Sequence, residues 1–320
     1  MDSRHPLESR FQAQPRHRAV RVLLVGIDGI GKTTFGLSAP SPTFLCAEPS
    51  RIPSQVPAIR PNDWKDVLTI VGSLVKDPWR CKTLVIDTVD WLESDYVIDF
   101  ICRRDHGKLS DRLIRPGGFV NFEAYGWNGG DILAREWKQL LSLLQTLYEK
   151  HGVNIVLLAH AGPHRKKNAS GDDYDVIGPK VHRMSADLFC EWPDAVLYAE
   201  FRKEVVRSAD PTKVNSKAKV ITSDERICWT QHRGAHRAKN RFGMPESIPF
   251  SWDDFAKYAL ADVDALSRRI AEILATRADP SLTEAVNRFL SGRFLEAGLL
   301  YRVLDRLEKP KRENEAEDDR

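Results

Sequence analysis

A chain of 320 residues with 29% charged residues, 42% hydrophobic ones and a net charge of +3 has the balance of a soluble globular protein large enough to bury a substantial core. No apolar run approaches the roughly 20 residues that cross a bilayer, and the opening MDSRHPLESRFQAQPRHRAV lacks the apolar stretch of a secretory signal. The expectation is a cytoplasmic protein, not a membrane or secreted one.

Five cysteines (Cys46, Cys81, Cys102, Cys190, Cys228) are scattered without a C-x-x-C pair. That counts against a disulfide framework and against zinc of the usual spacing. Cys102 and His106 have the spacing of one helix face, but no second ligand pair accompanies them. Charge is unevenly spread. Residues 226–245 hold five Lys/Arg and no acid, residues 201–220 hold six against two, and from 246 onward acids outnumber bases sixteen to twelve. A basic middle suits a polyanion or a plain solvated face, and charge alone does not choose.

In chain order, residues 1–18 read as a polar, disordered tail. AVRVLLV (19–25) is a continuous apolar run of strand length, as a strand buried on both faces requires. A glycine loop follows, then a short helix from Thr33 ended by APSP. TFLCAE (43–48), KTLVID (82–87) and NIVLLAH (154–160) read as the next strands. Before the last of these, Leu133, Trp137, Leu140, Leu141, Leu144, Leu147 and Tyr148 recur at helical spacing, and Gly152 ends that helix. Strands alternating with helices predict an α/β fold with a mostly parallel central sheet. DAVLYAEFR (194–202), KAKVIT (217–222) and RICWTQH (226–232) have no helix between them and predict an antiparallel extension. The core is expected over 19–255, a C-terminal helical appendage over 256–308 and a charged, disordered tail over 309–320.

VGIDGIGKTT (25–34) holds Gly26, Gly31, Lys32 and Thr33 at the G-x-x-x-x-G-K-[ST] spacing of a phosphate-binding loop. A strand precedes it and a helix follows, the context in which backbone N–H groups close around phosphate oxygens. Gly26, Asp28, Gly29, Gly31, Lys32, Thr33 and Thr34 are the predicted nucleotide-binding residues. Lys32 is expected on the β- and γ-phosphates and Thr33 on Mg²⁺. Asp87, ending an apolar strand, is the matching Walker B acid for the magnesium shell. ATP and Mg²⁺ are therefore the expected cofactors.

The loop resembles that of thymidylate kinases, and CAEPSR (46–51) is superficially similar to the segment that follows it there. Those kinases also carry a D-R-[YFH] segment for the base. The Asp-Arg pairs here, Asp111-Arg112 and Asp305-Arg306, lack the aromatic, so a kinase is the most distant of the three readings. A second resemblance, to RecA-type ATPases, continues further in chain order. FLCAE is similar to the F-I-D-A-E that carries their catalytic glutamate, which implies that Glu48 is the general base, with Asp90 the next candidate. His160 matches the polar residue that senses the γ-phosphate. AGPHRKKNASGDDYDVIGPK (161–180) falls where that family has its DNA-contacting loop, which implies DNA contacts by Arg165, Lys166 and Lys167. AKNRFGMPESIPF (238–250) is similar to V-K-N-K-I-A-A-P-F of RecA, which implies that Lys239 and Arg241 cross a subunit interface to complete a neighbour's ATP site.

From about 20 to 255 the chain also resembles phage-encoded ATP-binding proteins built on a reduced RecA core, some of which are single-strand annealing recombinases. YGWNGGDILAREWKQLL, DYDVIGPKVHRMSADLFCEWPDAVLYAE and AKNRFGMPESIPFSWDDF carry that similarity. No segment resembles RecA's N-terminal polymerising arm, and the helical end is unmatched. The resemblance implies a RecA-like ATPase of phage or prophage origin, in the bacterial host cytoplasm. It also implies binding of single-stranded DNA, annealing or strand pairing, and assembly as a homo-oligomer. A single-strand-binding protein is a further candidate partner. The alternative is an ATP-driven switch or loader without recombinase activity.

Overall fold

The computed structural model describes residues 19–104, 122–126, 128–167, 171–206, 219–293 and 295–308. The expected tails, 1–18 and 309–320, and His106 lie outside these described residues. β1 (Arg21–Gly26) leads through the glycine loop to α1 (Lys32–Leu37), β2 (Pro42–Cys46) and a short β3 (Ala58–Ile59). α2 (Trp64–Lys76) then precedes β4 (Thr83–Asp87). Beyond β4, α3 (Val89–Trp91) passes through a π-helical stretch, Leu92–Ile98, into α4 (Asp99–Arg104). α5 (Asn128–His151) ends at Gly152, with φ 63°, and returns to β5 (Asn154–Lys166), which pairs with β6 (Tyr174–Pro179). α6 (Arg183–Glu191), β7 (Ala195–Val206), β8 (Lys219–Trp229), β9 (Lys239–Asn240) and β10 (Ser247–Pro249) follow. Four helices close the described chain: α7 (Trp252–Ala259), α8 (Val263–Arg277), α9 (Pro280–Leu290) and α10 (Ala297–Glu308).

The strands form a ten-stranded sheet in the order β10-β8-β7-β1-β5-β4-β2-β3, with β6 on β5 and β9 on β7. From β7 to β3 every pairing is parallel, and β8 and β10 extend it antiparallel. The period-2 pleat explains why the parallel strands are apolar throughout. Leu23, Leu84, Ile86, Ile155 and Leu157 point to one face, where Trp64 of α2 and Trp137 of α5 cover them. Val22, Leu24, Val85, Val156 and Leu158 point to the other, against Phe35 of α1 and Trp252 and Phe255 of α7. Both faces are closed, so catalytic groups have access only at the strand ends. A separate cluster of Ile270, Leu274, Leu300, Val303, Leu304 and Leu307 holds the last helices together.

Three local findings differ from the sequence expectations. Residues 219–222 of KAKVIT and 226–229 of RICWTQH are not two strands but parts of one, β8, whose pairing with β7 absorbs a register shift between Phe201 and Lys203. Within the 161–180 segment, expected from the resemblance as a DNA-contacting loop, the described residues include two paired strands. Residues 161–166 continue β5 and pair antiparallel with β6, from Ala161 opposite Pro179 to Lys166 opposite Tyr174. α2, unassigned from sequence, is capped by Asp63, whose carboxylate accepts from the Asp66 N–H at 2.8 Å, and buries Trp64, Val67 and Val71 at helical spacing.

Candidate functional site

The site lies where β1, β4 and β2 end, beside His160 in the middle of β5. Gly31 has φ 103°, a left-handed conformation that a side chain would strain, and it turns the loop into α1. A Cβ on Gly26 would stand 2.9 Å from Ile30 Cγ2 and 3.3 Å from Ala199, so the loop closes on the neighbouring strand only because that position is glycine. Lys32 folds back over the loop, donating to the carbonyls of Gly26 at 3.2 Å and Ile27 at 3.1 Å. Burial lowers its pKa, opposed by Asp28, Asp90, Glu48 and Asp87. An ammonium held over the loop by two carbonyls is placed to meet an incoming polyphosphate.

Thr33 of α1 donates to Asp87 Oδ2 at 3.0 Å, joining two residues that lie 54 positions apart. This hydroxyl and carboxylate fit a hard divalent cation of the magnesium type, which keeps waters and takes few protein oxygens. Among the described residues no group of three or more His, Cys, Asp or Glu side chains is placed to hold a metal ion. Asp87 is 1% exposed, and burial pushes its carboxyl above the usual carboxylate range despite hydrogen bonds from Thr33 and Ser50. The folded value exceeds the unfolded one, so ionisation costs stability above the folded pKa and costs none below the unfolded one. Asp87→Asn is therefore expected to raise Tm at neutral pH in magnesium-free buffer. The gain should vanish below about pH 4, and magnesium-supported nucleotide binding should weaken. A lowered Tm at neutral pH would show that the ionised carboxylate is a net stabiliser instead.

Glu48 follows β2. Its backbone N–H donates to the Asp87 carbonyl at 3.1 Å, which holds it beside the end of β4. Thr88 Oγ1 lies 3.5 Å from Glu48 Oε2. Burial raises the Glu48 pKa, with Asp87 and Asp90 adding to it and His160 and Lys32 opposing. Opposite stands His160 on β5, and Asp90 grips it twice. One Asp90 oxygen accepts the His160 backbone N–H at 2.9 Å, and the other contacts Nδ1 at 2.7 Å. That hydrogen bond raises the His160 pKa above its usual value. Nε2 then faces Asp28 at 3.3 Å and Glu48 at 4.0 Å. Asp90 itself is pushed up by burial, but its bonds and charge interaction with His160 outweigh this and leave it lowered.

The remaining predicted residues lie elsewhere. Arg165 projects from the β5–β6 hairpin, its side chain 62% exposed and 3.5 Å from Asp175. Lys166 stands 3.8 Å from Asp187, and Lys167 is exposed. Lys239 pairs across from Val196, which in turn pairs with Leu23, three residues before the end of β1. At about 3.3 Å per strand residue this is roughly 10 Å short of the loop. Its ammonium bonds the Glu191 carbonyl, and Arg241 lies 3.3 Å from Asp194. Neither touches its own chain's loop. With Lys166, His232 and Arg237 they line one cleft of about 660 Å³. Two residues at the loop escaped sequence reasoning: Asp90 as the holder of His160, and Arg226, whose Nη1 donates to the Ile30 carbonyl at 3.2 Å.

Among the described residues no helix is long and apolar enough to cross a membrane, and no disulfide joins the cysteines. Residues 18–242 match the model of a protein family described as an AAA domain. A search of curated proteins returned no match. Among solved structures, the RadB recombinase superposes with a TM-score of 0.39 at 13% identity, covering 73% of this chain and 89% of that one.

Proposed function

Because the chain belongs to the AAA-domain family that residues 18–242 match, we propose that it binds and hydrolyses ATP at the glycine loop and couples that cycle to single-stranded DNA. The carrying observation is the Thr33–Asp87 hydrogen bond, which sets a magnesium-type donor pair beside Lys32. Thr33 and Asp87 would hold magnesium there, and it would supply charge neutralisation at the phosphate oxygens. Lys32 holds the same oxygens, and the loop N–H groups, with Thr34 at the start of α1, cradle the chain of phosphates. Glu48 takes a proton from the attacking water as its oxygen bonds the γ-phosphorus and the bond to the leaving ADP breaks. His160, oriented by Asp90, reads whether the γ-phosphate is present.

This reading places the ATPase core at 19–255 and the appendage at 256–308. With the RecA resemblance, it extends to annealing or strand pairing by a phage or prophage protein in the host cytoplasm. The protein would act as a homo-oligomer alongside a single-strand-binding protein. The β5–β6 hairpin, which begins one residue after His160, is the proposed link from nucleotide state to DNA. Hydrolysis measured with and without single-stranded DNA at stated salt tests the whole. Stimulation is expected, and ATP hydrolysis indifferent to DNA would favour the switch or loader. One observation favours that second reading: Arg165 and Lys166 already face Asp173, Asp175 and Asp187.

Replacing Arg165, Lys166 and Lys167 together with Ala is expected to weaken single-stranded DNA binding and to flatten its salt dependence by the equivalent of up to about three phosphate contacts. ATP binding without DNA should not change. An unaltered slope of affinity against salt would remove the hairpin from the DNA path.

A further inference from the structure

The antiparallel end of the sheet brings to the glycine loop a side chain that no motif marks. Arg226 on β8 donates to the Ile30 carbonyl, and its Nη1 lies 2.8 Å from where a Cβ on Gly31 would stand. Its guanidinium stacks over the ring of Phe250, with Cζ 5.5 Å from the centroid. Phe250 is fixed in turn. Its ring lies 5.8 Å from that of Phe35 on α1, and its N–H donates to the Arg226 carbonyl at 3.2 Å. Arg226 stays exposed in this stack, so a flat cation on an anchored aromatic ring stands beside the loop with surface to offer.

The strand order says which end of a nucleotide meets it. Asp87 ends β4, and Glu48 follows β2, both on one side of β1. β7 and β8 lie on the other side. A triphosphate whose γ-phosphate points toward Asp87 and Glu48 must send its sugar and base toward β8. Resting on the reading that the loop binds a nucleoside triphosphate, we propose that Arg226 and Phe250 form the nucleobase subsite, with the purine ring stacked on the guanidinium. Arginine suits this role because its planar, weakly hydrated cation stacks on aromatic faces, which a lysine ammonium cannot do.

The test compares calorimetric binding of Mg-ATP with that of magnesium tripolyphosphate, which has the same row of phosphates and no base. Arg226→Ala and Arg226→Lys are each expected to weaken ATP binding about tenfold, roughly the worth of one stacked cation, and to leave tripolyphosphate binding unchanged. Phe250→Leu, which keeps an apolar contact for Phe35 but removes the flat ring, should weaken ATP in the same selective way. Equal losses for both ligands would make Arg226 a phosphate ligand or a loop support and overturn the subsite. Unchanged ATP affinity in all three variants would overturn it too. An unsubstituted protein that binds tripolyphosphate and ATP equally well would also overturn it, while leaving the phosphate loop intact. One that binds neither ligand would remove the nucleotide reading and the subsite with it.

Discussion

Glu48→Gln protein is expected to bind ATP as the parent does and to turn it over roughly 10²-fold or more slowly, the usual loss when a general base is removed. Glutamine keeps the shape and the Thr88 contact while removing the ability to take a proton. The competing carboxylate is Asp90, but His160 occupies both of its oxygens, at 2.9 and 2.7 Å. Taking a proton from water would cost Asp90 one of those bonds. Glu48 has no such commitment, since its nearest hydroxyl partner is at 3.5 Å. Its burial-raised pKa sets the sign of the pH dependence. The base works only when ionised, so turnover should rise with pH through that raised value, and the acid limb should vanish in Glu48→Gln. Single-turnover hydrolysis across pH reads both effects. Normal turnover in Glu48→Gln would place the base elsewhere, and Asp90→Asn is the variant to measure next.

Legibility from sequence followed how local each feature is. The glycine loop needs one strand, one turn and one helix in succession, and Asp87 needs only an apolar strand with an acid at its end. Both are written in consecutive residues, and the fold joins them at 3.0 Å. Glu48 and His160 were reachable because parallel strands end at one edge, so a polar residue that closes an apolar run arrives there automatically. The Asp90–His160 grip was not legible as a pair. It depends on β4 and β5 being neighbours and links residues 70 positions apart. Arg226 was hidden more deeply, because its place at the loop depends on the β7–β8 register and on the shift between Phe201 and Lys203. In the sequence it is one cation in a basic stretch. The pairing of β5 with β6 was not legible for a related reason. Glycine and proline break any apolar period, yet β5 supplies a ready edge for Tyr174–Pro179, and tertiary pairing overrides weak local propensity.

Lys239→Ala/Arg241→Ala protein is expected to bind ATP and fail to hydrolyse it, whereas Lys32→Ala protein should fail at binding because the main phosphate cation is gone. The argument for the first variant is geometric. Both cations sit near the start of β1, roughly 10 Å short of the loop, with Lys239 opposite Val196 and Arg241 against Asp194. In their own chain they cannot stabilise charge on a transferring phosphate. A role in hydrolysis therefore requires a neighbouring subunit whose loop they enter. Burial, and after it the charge of Arg241, lowers the Lys239 pKa, so an anion arriving between the two cations would relieve repulsion between like charges. Mixing the two inactive proteins supplies the check. Some interfaces would then pair an intact loop from the finger variant with intact cations from Lys32→Ala, and part of the hydrolysis should return. Light scattering must show an assembly, and labelled subunits must be seen to exchange. A monomer at every concentration, or exchanging subunits with no recovered hydrolysis, would sink the trans-acting role. Loss of DNA affinity in the double variant with ATP turnover intact would instead assign the pair, with Lys166 in the same cleft, to the DNA path.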